Sequence, residues 1–415
     1  MKHLSRIGSL LLASALTLSV VYQQPAQGHR SLPQETYHRA WQLVRDNYYE
    51  SSFNHHDWSD LEHKFDGSIK TNEDAYKYIK VMLEGLNDPY TRLLEPRAFQ
   101  DENDAIDARI VGIGINLQQS KETKRLVVTR TIEDGPAEVA GIRAGDEIVG
   151  IDGLNAIGMT PEQAAEHIRG KQGTPVQVAV SHAGAAKTVN ITRQEITIHA
   201  VSSKMLDNGI GYIQLSTFIS NDASREFRQA LQKLSNADGI VLDLRDNPGG
   251  LLSNALEIAD MLLDNGAIVS TISRHGHHTD LSSGDPLTHQ PIVVLVDDES
   301  ASASEILASA LKDNGRGVLI GTRTYGKGLV QEINRLPGGA AIHITVSRYL
   351  TPSGSDINKV GVIPDVNEAD KERQFQKALV CLKEKIATLK PTFGNNKPIS
   401  SMNVIRTQNT TVARR

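Results

Sequence analysis

PIVVLVDDESASASEILASALKDNG, residues 291 to 315, reads as a strand that turns directly into a helix. Residues 291 to 296 are an unbroken apolar run of strand length, the pattern of a strand covered on both faces. The small residues after it introduce a helix that glycine stops at position 315. Ser302-Ala303-Ser304-Glu305 has the spacing of a capping box. A serine at such a turn projects its hydroxyl above the sheet, with the positive end of a helix behind it.

The same alternation extends in both directions. GIGYIQL (209–215), GIVLDL (239–244), IVSTIS (268–273), GVLIG (317–321) and AIHITVSRYL (341–350) read as strands. SREFRQALQKLS (224–235) and ALEIADMLL (255–263) read as helices. This predicts an α/β core over 195–368 with a mixed, mostly parallel sheet. Residues 29–105 predict a small helical domain. Ile79, Met82, Leu83 and Leu86 share one helical face after the capping candidates Thr71 and Asn72, and Asp88-Pro89 breaks the helix. A charged helix is expected over 369–390 and a polar, flexible tail over 391–415.

Composition excludes several classes. Hydrophobic residues make up 39% and charged residues 22%, and the net charge is −5, so nothing favours nucleic acid. Lys2, His3 and Arg6 precede an apolar run from Ile7 to Tyr22, and Ala26-Gln27-Gly28 offers a cleavage site. That is a secretory signal over 1–28, cut near Gly28, leaving an exported chain with no stable membrane span. Cys381 is the single cysteine and sits in a helix-like stretch, so no disulfide or cysteine-bound metal is expected. The histidines of RHGHH (274–278) and His55-His56 lack a carboxylate at zinc spacing. They predict exposed loops, and neither a metal nor a cofactor is expected.

GTRTYGKGLVQ (321–331) opens like a phosphate-binding loop, but Gly328 stands where that loop needs Ser or Thr. A lysine shielded from water is easier to deprotonate and can then act as a base. Lys327 is such a candidate, and Ser302 is the candidate nucleophile it would serve. Alone, Ser302 would read as a helix cap and Lys327 as a surface lysine. The two together, in this order and after the glycine turn of RDNPGG (245–250), point to chemistry. Ser300 and Ser304 fit turn or cap positions. Ser309-Ala310-Leu311-Lys312 matches the S-x-x-K of penicillin-binding enzymes, but their companion motifs are absent from the sequence.

SASASEI followed by TYGKGLVQ resembles the carboxy-terminal processing, or tail-specific, serine proteases. The resemblance covers nearly the whole chain after the signal. It implies a Ser-Lys dyad of Ser302 and Lys327 supported by Gln331. It also implies an oxyanion hole built from a backbone amide of Gly249-Gly250 and that of Ala303. Residues 106–194 resemble a PDZ domain: VGIGI, that is Val111, Gly112, Ile113, Gly114 and Ile115, stands where that family binds a carboxylate, and GPAEVAGIRAGDEIVGIDG follows. Glycines there let backbone N–H groups converge on an anion, while the adjoining strand edge can pair with an extended peptide.

The function implied is a serine endopeptidase that selects protein or peptide substrates by free, apolar C-termini, with the PDZ domain recruiting the tail and gating the site. The resemblance places such a chain in a periplasm or a thylakoid lumen. Relatives in photosynthetic organisms trim a photosystem II reaction-centre precursor, and some relatives form homodimers through terminal helices.

Overall fold

The computed structural model describes residues 33–389 other than 108, 121, 122, 133, 183 and 198. The signal over 1–28 and the tail over 391–415 lie outside the described residues. Among those described, no helix is long and apolar enough to cross a membrane.

Six strands form the main sheet, in the order Val201–Met205, Ile210–Leu215, Gly239–Asp243, Ile292–Val296, Gly317–Gly321 and Val366–Asn367. The first pair is antiparallel and every later pair parallel. Period-two alternation explains why Ile292–Val296 is apolar throughout. Ile292, Val294 and Val296 face one cluster with Phe227, Ile258 and Leu307, while Val293 and Leu295 face another with Ala378 and Leu382.

The helices divide accordingly. In chain order they are α1 (Pro33–Asn47), α2 (Asn72–Glu84), α3 (Pro96–Ile106), α4 (Pro136–Val139), α5 (Pro161–Ile168), α6 (Ala223–Lys233), α7 (Leu252–Asp260), α8 (Ala303–Asp313) and α9 (Lys371–Leu389). Helices α6, α7 and α8 cover one face of the parallel sheet, and α9 covers the other. Cys381 is a half-buried residue of α9.

A second, antiparallel sheet stands beside the first, beyond what the alternation suggested. Ala341–Leu350 pairs with Arg92–Leu94, Ala267–Ser273 and Leu329–Arg335, and Gly276–Leu281 completes it. His275 therefore lies in a hairpin turn and His277 and His278 on a strand, exposed as expected though not in a loop.

The helical N-terminal region has the expected face, with Ile79, Met82, Leu83 and Leu86 buried, and Thr71 caps α2 reciprocally with Asp74. Its core is closed by Ile342 and Ile344 of the second sheet and by Leu336 and Ala340, which flank the turn Pro337–Gly339 between two of its strands. The region thus packs against the second sheet while keeping a hydrophobic cluster of its own.

The inserted β domain has its own core and a sheet of Ile115–Gln119, Leu126–Thr131, Glu147–Ile151, Pro175–His182 and Ala185–Thr192, with Leu154–Asn155 attached to the third strand. Its entering and leaving segments, Arg109–Gly112 and Gln194–Thr197, pair with each other as a two-stranded stem. Val111 and Gly112 are stem residues. Gly114 turns the chain at φ +77°, and Ile115 begins the edge strand, against which α5 packs.

Candidate active site

The strand Ile292–Val296 leads through a loop to Ser302 at the N-cap of α8. Ser302 has φ 54° and ψ −113°, a conformation that costs about 1–3 kcal/mol in a non-glycine residue and must be held by its surroundings. The main restraint is Glu305, which is fully buried. One oxygen of its carboxylate accepts from the Ser302 amide at 2.8 Å and the Lys327 amide at 2.9 Å. The other accepts from Thr324 Oγ1 at 2.6 Å and the Gly326 amide at 2.8 Å. A single buried carboxylate thus joins the serine turn to the lysine turn. The Tyr349 hydroxyl, also buried, is shared between the carbonyls of Ser302 at 3.1 Å and Lys327 at 2.7 Å.

Asn247 fixes the glycine turn from the other side. Its side chain donates to Leu215 O at 2.7 Å and accepts from the Gly249 amide at 2.9 Å. Its carbonyl accepts from the Ala301 amide at 3.0 Å and from Ser304 Oγ at 2.9 Å. Glycine is required here: a Cβ on Gly249 would come within 2.9 Å of Ala303 N, and one on Gly250 within 2.2 Å of Ile219 N. The Gly249 amide is occupied by Asn247, whereas that of Gly250 has no hydrogen-bond partner among the described residues.

Ser302, Lys327, Gln331, Ala303, Gly249 and Gly250 line one cleft of about 590 Å³. Tyr90, Arg92, Glu102, Ile106 and His343 line it as well. The PDZ loop residues 111–115 do not.

Lys327 Nζ lies 4.8 Å from the centre of the Tyr90 ring, and no hydrogen bond joins it to Ser302 Oγ in this conformation. Burial holds its ammonium below the ordinary lysine value and the nearby Arg92 adds to this, while Asp88, Glu102 and Glu305 act in the opposite sense.

Lys327 precedes the strand Leu329–Arg335, and the register shifts between Val330 and Gln331. Simple alternation therefore does not relate Gln331 to Lys327. The Gln331 amide donates to Thr345 Oγ1 at 3.4 Å, and that hydroxyl donates to Asp88 at 2.6 Å.

The other serines have structural partners. Ser300 Oγ donates to Leu244 O, Ser304 Oγ to Asn247 O and Ser309 Oγ to Ile306 O, all buried. Lys312 reaches Ile363 O and Asp365, away from Ser309.

Sequence reasoning did not single out Asn247, Glu305 as a bridge, Thr324, Tyr349 or the wall formed by Tyr90, Arg92, Glu102 and His343. The Ser-Ala-Ser-Glu spacing signalled a cap, which Glu305 supplies to the Ser302 amide. Nothing local signalled its reach to Lys327.

Helix α3 has one side on this cleft and another on the inserted domain. Glu102 meets His343 Nε2 at 3.0 Å. Burial opposes the charge on Glu102, but the His343 hydrogen bond and the charges of His343, Arg92 and Lys327 hold its carboxyl below the usual range. From the same helix Arg97 donates to Glu166 O at 3.0 Å, and Asp101 lies 3.6 Å from Arg169, both at the end of α5.

Comparison with known proteins accounts for this arrangement. Residues 209–368 match the model of peptidase family S41, and residues 107–181 match that of the PDZ domain. A carboxyl-terminal-processing protease of Picosynechococcus is 42% identical over 336 residues, covering 79% of this chain and 81% of the relative. The chloroplastic carboxyl-terminal-processing peptidase 3 of Arabidopsis thaliana is 35% identical, covering 85% of this chain and 72% of the relative. The solved structure of a photosystem II D1 C-terminal processing protease is 34% identical with a TM-score of 0.57, covering 82% of this chain and 94% of that one. The strand-to-helix serine turn, the inserted PDZ domain and these similarities over most of the chain agree: the chain belongs to peptidase family S41 and is a serine peptidase of the carboxyl-terminal-processing kind.

Proposed function

We propose that the protein is an endopeptidase that takes up substrates by their free, apolar C-termini and cuts them through a Ser302–Lys327 dyad. The observation that carries this reading is the meeting of Ser302 and the buried, charge-depressed Lys327 in one cleft, through the shared Glu305 carboxylate. Neutral Lys327 takes the proton from the Ser302 hydroxyl as the oxygen attacks the peptide carbonyl. Lys327 first leaves the face of Tyr90, the kind of tightening that substrate brings to a loose resting site. The oxyanion is met by the amides of Ala303, at the start of α8, and Gly250, whose N–H is not engaged elsewhere. Gln331, set by Thr345 and Asp88, orients the amine once it has moved.

Tail recognition falls to the PDZ domain. An extended peptide adds to the edge strand Ile115–Gln119 beside α5, its carboxylate held at the turn of residues 111–115. Its occupancy is felt at the cleft through α3, which holds α5 by Arg97 and Asp101 and His343 by Glu102. An exported location, periplasm or thylakoid lumen, rests on the signal-like residues 2–28 and accords with cyanobacterial and chloroplastic relatives.

The test is cleavage of an unstructured protein ending in an apolar free carboxylate, beside the same protein with an amidated end, with products read by mass spectrometry. The free tail is cut faster, and Ser302→Ala and Lys327→Ala each lower the rate by at least about 10³-fold. Equal cutting by wild type and Ser302→Ala refutes the nucleophile. Equal cutting of both tails refutes C-terminal selection.

A further inference from the structure

Three side chains away from the cleft converge in the N-terminal region. His38 stands on α1, and His63 and Asp66 follow the short 3-10 turn Trp58–Leu61. His38 Nε2 is 3.2 Å from Asp66 Oδ1, and His63 Nδ1 is 3.0 Å from Asp66 Oδ2. Ligand atoms of all three lie within 4.8 Å of one another, and this is the only such group among the described residues.

His63 Nδ1 is hydrogen-bonded to Asp66 Oδ2, but the His38 contact with the other oxygen is of a different kind. Asp66 Oδ1 is shielded from solvent and accepts no hydrogen bond, although the His38 nitrogen is at donor distance. Donor distance without donor geometry is the relation between two ligands of one ion. Neighbouring ligands of a tetrahedral ion with bonds near 2.0–2.1 Å are about 3.3–3.4 Å apart, close to the 3.2 Å between His38 Nε2 and Asp66 Oδ1, while His63 Nδ1 rests against the other oxygen of the same carboxylate. The His63 side chain is 71% exposed, so it can turn inward to close the group.

We propose that His38, His63 and Asp66 bind one divalent ion of the zinc class. Two imidazole nitrogens and one carboxylate suit Zn²⁺ and its late first-row neighbours, whereas Ca²⁺ and Mg²⁺ take shells of oxygen. With Nδ1 of His63 as ligand, its Nε2 keeps the proton, on the side where the Glu62 carboxylate lies 3.9 Å away. A water completes the tetrahedron. The ion ties α1 to the segment after residue 61, beside the contact of Tyr37 with Phe65 and its hydrogen bond to Leu61 O. No ligand lines the catalytic cleft, so the role is structural.

The test is calorimetric titration of the untagged protein with Zn²⁺, and with Co²⁺ for the visible bands of tetrahedral coordination. Wild type is expected to bind one equivalent with a sub-millimolar Kd, and His38→Ala and His63→Ala to bind at least tenfold more weakly. A His277→Ala/His278→Ala variant in the exposed hairpin binds as wild type. Saturating Zn²⁺ raises the unfolding midpoint of wild type by a few degrees, and that of His63→Ala by less. Cleavage activity retained by the histidine variants shows that they are folded. Binding that survives both single substitutions, or that is absent below millimolar Zn²⁺, overturns the proposal.

Discussion

Replacing Glu305 by Gln tests whether one carboxylate holds the nucleophile and the base together. The side chain receives four hydrogen bonds, three from backbone amides and one from Thr324 Oγ1. An amide has one accepting oxygen. In the least damaging orientation that oxygen keeps the Ser302 and Lys327 amides, and the new NH₂ faces Thr324 Oγ1 and the Gly326 N–H. The threonine oxygen can accept, although it already accepts from Val362 N. The Gly326 N–H then meets another donor and stays buried without a partner, which costs about 1–3 kcal/mol. The two surviving amide bonds lose their charge assistance, about a further 1 kcal/mol. The expected loss is therefore about 2–4 kcal/mol, with kcat/KM reduced by at least about tenfold because the two turns lose their common anchor. Stability is read by denaturant unfolding in a Ser302→Ala background, which prevents self-cleavage, and activity is read in the parent. A Glu305→Gln protein within 0.5 kcal/mol of its parent and within twofold in kcat/KM would refute the bridging role.

Other outcomes follow from the same cleft. If neutral Lys327 is the base, kcat/KM rises with pH along a limb whose midpoint lies below the ordinary lysine value; Arg92→Leu moves that midpoint up and Glu102→Gln moves it down, and shifts of opposite sign would reject the assignment. Asn247→Ala leaves the Gly249 amide and Leu215 carbonyl unpaired, and is expected to cost about 1–3 kcal/mol of stability together with a fall in kcat. Ala substitution of both Arg97 and Asp101 frees α5 from α3; the cleavage advantage of a free over an amidated tail should shrink, and an unchanged ratio means that α3 carries no coupling. Gly250→Ala places a methyl against Ile219 N, so activity should be lost while the PDZ domain still binds an apolar-tailed peptide.

Much of this was legible in the sequence because its physical signals are local. Alternation of strand and helix, the apolar run before Ser302 and the 2-x-x-5 capping spacing depend on neighbours within a turn or two of chain. The candidate residues Ser302, Lys327, Gln331, Ala303, Gly249 and Gly250 were all named, and they line one cleft. The choice between the two glycines was not legible, since it turns on where the Asn247 side chain points. The register shift between Val330 and Gln331, which sets the direction of the Gln331 side chain, was announced by no residue pattern. The histidines that attracted notice, at 274–278 and 55–56, were adjacent in sequence. Those that converge, His38 and His63, sit on separate elements.

The sequence by itself determined the kinds of element, the order of the chemical groups and the insertion of a PDZ-like unit, all of which follow from periodicity and short motifs. Tertiary structure alone decided that residues 329–350 leave the parallel sheet for an antiparallel one and close the core of the helical region. That pairing brings Asp88 to Thr345 across 257 positions, and sets Tyr90, Arg92 and Glu102 around Lys327. Strand partners so far apart are selected by the total apolar area that the assembled layers remove from water. No single segment carries that quantity.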